Sequence, residues 1–110
     1  VGGPSAGMMF ALAIYDKLTP GALTGGQSVA GTGTITPDGE VGSIGGVQQK
    51  MVGAEEGGAT IFLVPTGNCA EAAAKDTDMT LVDVATLDDA IDALQALADD
   101  PEAKVPTCSK

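Results

Sequence analysis

The sequence predicts a single domain of the α/β (α+β) class, in which helices alternate with short strands and one β-hairpin. The chain has only 110 residues, and 44 % of them are apolar, which suffices for one hydrophobic core. Stretches in which apolar residues recur with helical spacing alternate with short runs rich in β-branched residues. Segments rich in Gly and Pro separate these stretches, as expected for turns.

The first half of the chain is predicted to contain a buried helix and a hairpin. Residues 6–18 are apolar on nearly all sides, and the Pro and Gly of residues 19–21 end this helix. Residues 28–36 alternate β-branched residues with Gly and Ala, which indicates a strand. The turn residues 37–39 predict that this strand folds back into a second strand over residues 41–44.

The second half of the chain is predicted to alternate helices with buried strands. Asn68 is expected to be the N-cap of a short Ala-rich helix, and Thr86 the N-cap of a longer amphipathic helix. Residues 100–110 are expected to form a loose tail. The predicted elements are a helix over 47–56, a strand over 60–64, a helix from 68 to 75, a strand over 80–84 and a helix from 86 to 99.

The charge balance excludes several classes of function. The chain has fifteen acidic residues and five basic ones, all of them lysines, so the formal charge is −10. Without Arg and without clustered positive charge, no nucleic-acid partner is expected. The chain has no His, which rules out Ser-His-Asp and Cys-His machinery and removes the commonest zinc ligand. No apolar run approaches the length of a membrane span, so we expect no membrane insertion of this segment.

A glycine-rich segment, Gly2-Gly3-Pro4-Ser5-Ala6-Gly7, directly precedes the first predicted helix. It places Ser5 at the helix N-terminus, where free N–H groups can stabilise an oxyanion or a phosphate. A simple helix cap is the alternative, and the commoner role for an arbitrary Ser at this position. The segment lacks the Gly-Lys-Ser/Thr ending of a P-loop.

A serine nucleophile in this chain would need a lysine or a carboxylate as its base, and a lysine can serve where its surroundings favour the neutral amine. Lys50 lies one turn into the second predicted helix, at the end where the helix dipole disfavours a cation. Met51, Val52 and Ala54, which follow it, are apolar, and none of its neighbours in sequence is acidic. A surface lysine remains the alternative. The other four lysines have ordinary solvated positions: Lys17, Lys75, Lys104 and Lys110.

Taken together and in order, these motifs resemble the proteolytic domain of the Lon family of Ser-Lys proteases over about residues 1–98. The resemblance implies a serine endopeptidase that needs no metal or cofactor and acts on a polypeptide substrate. It implies Ser5 as nucleophile, Lys50 as general base, Thr32 as support for the lysine, and the backbone around Ser5 and Ala6 as the oxyanion hole. The matching motifs are Gly3–Gly7, Gly31–Thr36, Gly39–Val41, Ile44–Gly46 with Lys50, and the strand Ile61–Pro65 followed by Asn68.

Finer details are similar to the bacterial branch that joins a Lon-type protease domain to a PDZ domain behind an N-terminal membrane anchor, without an ATPase. This likeness implies a membrane-anchored parent protein and an extracytoplasmic location, a cytoplasmic one being the alternative. Homo-oligomerisation is a further expectation, because Lon relatives assemble into rings. The resemblance also implies that residues 1–99 form the C-terminal portion of the domain, without its upstream strands, so the isolated chain could lack activity.

Cys69 and Cys108 lie 39 positions apart and match no metal-binding spacing. From the spacing alone, two free thiols are the commoner alternative. The extracytoplasmic location that the resemblance implies favours a disulfide between them, which would pin the tail to the domain.

Two other classes of function remain open at this point. One is a small-molecule kinase-like domain that binds a nucleotide, because the Lon protease fold resembles that of such kinases. The other is an assembly module without catalysis that kept the motifs as scaffold.

Overall fold

A computed structural model describes residues 4–18 and 23–109 of the chain. Along the chain, a helix and a short strand come first, a hairpin follows, and helices then alternate with strands. They are a 3₁₀ turn (Pro4–Ala6), α1 (Gly7–Leu18), β1 (Val29–Gly31), β2 (Thr34–Ile35), β3 (Val41–Gly42), α2 (Val47–Glu56), β4 (Ile61–Pro65), a second 3₁₀ turn (Thr66–Asn68), α3 (Cys69–Ala73), β5 (Thr80–Val84) and α4 (Leu87–Asp99).

A parallel sheet of three strands, in the order β1-β4-β5, forms the centre of the domain. All five residues of β4 are buried, as expected for a central strand covered on both faces. Because side chains alternate along a strand, Ile61 and Leu63 pack with α1 and α4, whereas Phe62 and Val64 pack with α2 and α3. The fold is therefore a sheet between two helical layers, which confirms the predicted class.

The predicted strand over residues 28–36 is wrong as a single element. Its first part is β1 of the parallel sheet, and its last part is β2, which pairs with β3 in an antiparallel hairpin. Gly33 lies at the junction with φ of 150°, and a Cβ there would come within 2.8 Å of Val41 Cγ1. The chain leaves one sheet and enters the other at this glycine, which strand periodicity alone does not reveal.

The helices lie where the apolar spacing predicts them, but only one of the two predicted N-cap residues caps its helix through its side chain. Thr86 caps α4 as expected: its Oγ1 accepts from Asp89 N at 3.1 Å, and Asp89 Oδ2 accepts from Thr86 N at 3.1 Å. Asn68 occupies the N-cap position of α3 as predicted, but its side chain does not cap the helix and bonds to Ile44 instead. The predicted terminator at residues 19–21 lies outside the described residues. No helix in residues 4–18 and 23–109 is both long and apolar enough to cross a bilayer.

The prediction of a loose tail is also wrong. Residues 106–108 run antiparallel to β5, with a bridge between Val82 and Thr107 and a hydrogen bond of 3.0 Å from Cys108 N to Leu81 O. A disulfide joins Cys108 to Cys69 at the start of α3, with the sulfurs 2.07 Å apart. The tail is thus held to the edge of the sheet by backbone pairing and by a covalent bond.

Replacing Cys108 with serine should lower the free energy of unfolding of the oxidised protein by about 3–4 kcal/mol, because the bond closes a loop of roughly 40 residues in the unfolded chain. Urea denaturation with and without reductant measures this difference. Reductant should destabilise the wild type to the level of the variant and leave the variant unchanged. Equal stability of the wild type in both conditions would contradict the prediction.

Candidate active site

Ser5 lies in the 3₁₀ turn that leads into α1, and backbone hydrogen bonds hold this turn against the β1–β2 junction. The carbonyl oxygen of Ser5 accepts from Gly33 N at 2.9 Å and from Thr32 Oγ1 at 3.2 Å. One turn later, Met8 N donates to Gly33 O at 3.0 Å. The position of Ser5 is therefore tied to the junction between β1 and β2 through Gly33.

Thr32 follows β1 and is only 3 % exposed. Its backbone N–H donates to Leu63 O of β4 at 3.3 Å, so its main chain still follows the sheet. The resemblance implied that Thr32 supports the lysine, but in the structure its hydroxyl donates to Ser5. Thr32 thus holds the segment that carries the serine.

Lys50 lies in the first turn of α2. Gly46 precedes this helix in the left-handed conformation, with φ of 71° and ψ of 37°, and its carbonyl accepts from Lys50 N at 3.2 Å. Val47 and Met51 are fully buried against the sheet and anchor the helix. The side chain of Lys50 is exposed, in contrast to its buried neighbour Met51.

Within the described residues, Lys50 forms no salt bridge, whereas Lys75 pairs with Glu55 at 3.9 Å.

The residues that the sequence singled out line one cleft. Ser5, Ala6, Thr32 and Lys50 surround a space of about 350 Å³, whose walls also include apolar side chains such as Phe62. Ser5 and Ala6 reach it from the start of α1, and Lys50 reaches it from α2 on the other side of β1. Residues 45 positions apart in sequence thus line one cleft beside β1.

This arrangement can support acyl transfer in chemical terms. Ser5, which carries a primary hydroxyl, and Lys50, which carries an amine, line the same space at the start of a helix whose dipole favours developing negative charge. The described residues contain no group of three or more His, Cys, Asp or Glu side chains that could hold a metal ion.

Sequence reasoning missed the role of one residue near this site. Asn68 is 5 % exposed and forms two hydrogen bonds with the backbone of Ile44, at the start of the loop that leads to α2. The only signal in the sequence was a strongly polar amide shortly after the most apolar strand, and a helix cap explained it equally well.

The fold and the cleft together define an α/β domain in which a serine and a lysine line one cleft. The sequence profile of the Lon protease (S16) C-terminal proteolytic domain matches residues 1–96, so the chain belongs to that family.

Curated relatives agree with this assignment. The chain is 43 % identical over 63 residues to Lon protease of Clostridioides difficile (strain 630), a match that covers 57 % of this chain and 8 % of the relative. It is 41 % identical over 66 residues to Lon protease 1 of Bacillus subtilis (strain 168), covering 60 % and 8 %. It is 35 % identical over 94 residues to Lon protease of Campylobacter concisus (strain 13826), covering 81 % and 11 %. The matched region is thus a small part of each relative.

Proposed function

We propose that this chain carries the catalytic dyad of a serine endopeptidase, with Ser5 as nucleophile and Lys50 as general base. The observation that supports the proposal is the shared cleft. Ser5 and Lys50, the two residues of the Ser-Lys motif pair, both line it. Membership of the Lon proteolytic domain family adds to it. Each relative named above is a Lon protease, so the comparisons do not favour a kinase-like, nucleotide-binding role.

In the proposed reaction, Ser5 Oγ attacks the carbonyl carbon of the scissile peptide bond while Lys50 Nζ takes the hydroxyl proton. The oxyanion that forms is stabilised by backbone N–H groups at Ser5 and Ala6, at the start of α1. Lys50 then returns the proton to the leaving amine as the C–N bond breaks. Water attacks the acyl-enzyme in the second half-reaction, with Lys50 again as base, and Ser5 regains its proton.

Covalent labelling tests the proposal directly. A fluorophosphonate probe should modify Ser5 in the full-length protein, and mass spectrometry of the proteolytic peptides should place the adduct there. Ser28→Ala is the matched control, because Ser28 is exposed and lies outside the cleft. We expect labelling to persist in this control and to disappear in Ser5→Ala. An adduct spread equally over other serines would contradict the assignment of the nucleophile.

We further propose that residues 1–99 are the C-terminal portion of a larger proteolytic domain and that residues 100–110 form an appended tail. The parent protein would be anchored to the membrane, joined to a PDZ domain and placed outside the cytoplasm. The disulfide between Cys69 and Cys108 supports this location, because structural disulfides persist mainly in oxidising compartments. Two free thiols in protein freshly isolated from its cells would count against it.

Polypeptides are the proposed substrates, and assembly into a homo-oligomer is proposed for the parent protein. No nucleic-acid partner is proposed, because the chain combines a formal charge of −10 with an absence of Arg.

A further inference from the structure

We propose that Asn68 is a positioning residue for Lys50: its buried amide fixes the loop from which α2 starts, and thereby fixes the amine at the cleft. This inference rests on the proposed function of Lys50 as general base. Asn68 itself lies outside the cleft and acts through Ile44 and the helix.

Both the oxygen and the nitrogen of the Asn68 side-chain amide form hydrogen bonds with the backbone of Ile44. Ile44 N donates to Asn68 Oδ1 at 2.9 Å, and Asn68 Nδ2 donates to Ile44 O at 2.8 Å. The pair reproduces the two hydrogen bonds that a neighbouring strand would make with one residue. With only 5 % of Asn68 exposed, water cannot readily replace these bonds.

The position of Ile44 affects the position of Lys50, because only a short stretch of chain separates Ile44 from the start of α2. Two residues later, Gly46 turns the chain into α2 with a left-handed backbone, and Lys50 follows within the first helical turn. Val47 and Met51 bury the inner face of the helix, but apolar contacts are non-directional and tolerate small shifts along the helix axis. The hydrogen bonds to Ile44 are directional, so they define where the helix begins.

Asn68 is itself held in place by the segments on either side of it. It follows β4, the central strand of the sheet, and it precedes Cys69, which the disulfide joins to Cys108. A second contact also joins α2 to the segment that follows β4: Gln48 Nε2 of α2 donates to Glu71 O of α3 at 2.8 Å. The start of α2 is thus attached to the β4–α3 segment at two points, of which the buried one involves Asn68.

The test is the rate of peptide hydrolysis by Asn68→Ala in the full-length protein. We expect kcat to fall about 10- to 100-fold, because a displacement of about 1 Å in a catalytic group costs roughly that much. KM should stay within a factor of two, since the cleft walls are unchanged. Hydrogen exchange should accelerate in peptides that cover residues 43–50, because Ile44 N loses its acceptor.

Thr86→Ala is the matched control, because it also removes a side-chain hydrogen bond to the backbone but does so at α4, away from the cleft. It should lower the melting temperature and leave kcat and the exchange of residues 43–50 unchanged. Asn68→Ser is a second variant in case Asn68→Ala fails to fold. Its short hydroxyl can replace at most one of the two hydrogen bonds to Ile44 without adding charge, so its kcat should lie between those of the wild type and Asn68→Ala.

The outcomes separate the inference from the proposed function. If Ser5 is required for hydrolysis and both Asn68 variants keep wild-type kcat, the inference is wrong and the proposed function stands. If Thr86→Ala loses kcat as much as the Asn68 variants, the effect is general destabilisation and the inference is wrong. If Ser5→Ala remains fully active, the proposed function fails, and the inference fails with it.

Discussion

Replacing Ser5 with alanine should reduce peptide hydrolysis by the full-length protein by at least about 10³-fold, because no other group supplies the attacking oxygen. The change should barely affect the fold. The bonds that hold this turn use the carbonyl oxygen of Ser5, which alanine retains, together with Gly33 N and Thr32 Oγ1. The expected loss in the free energy of unfolding is below about 1 kcal/mol.

Hydrolysis of a fluorogenic peptide at saturating substrate measures the first quantity, and urea denaturation measures the second. Ser28→Ala, which removes an exposed hydroxyl elsewhere, should retain wild-type rates. Near-normal turnover by the Ser5 variant would show that another residue attacks the peptide bond. Loss of turnover together with loss of the folded state would leave the fold, rather than the nucleophile, as the cause.

The elements with strong periodicity could be predicted from the sequence. In α4, apolar residues recur on one face, Thr86 supplies the cap, and the structure buries that face against the sheet. In β4, a short apolar run between Gly-rich and polar segments suffices to indicate a buried strand. Both depend on local pattern, which the sequence displays directly.

The division of residues 28–36 between two sheets could not be predicted in this way. The alternation of small and β-branched residues continues through Thr32 and Gly33. Only the packing of Gly33 against Val41 and Pro65 shows why the chain changes sheets there. The tail shows the same limit, since its order depends on pairing with β5 and on a bond to α3.

For the candidate site, the motifs identified the residues but not their contacts. Ser5, Thr32 and Lys50 were all singled out, and the structure brings them to one cleft. The partner of the Thr32 hydroxyl depends on how α1 meets the sheet, so the sequence did not reveal its bond to Ser5. The exposure of Lys50 likewise depends on which face of α2 is covered, a property of the packed layers.

Replacing Lys50 with arginine is expected to lower kcat about 10²- to 10⁴-fold, the contribution typical of a general base. Arginine keeps the positive charge and a long stem, but its guanidinium does not deprotonate in proteins and so cannot accept the serine proton.

Lys75→Arg is the matched control for this substitution. Its ammonium pairs with Glu55, so arginine can keep the ion pair, and the residue lies outside the cleft. Initial rates of peptide hydrolysis should be similar for this control and the wild type, and low for Lys50→Arg. Because a protonated guanidinium cannot act as base, an arginine variant with wild-type turnover would exclude Lys50 from that role.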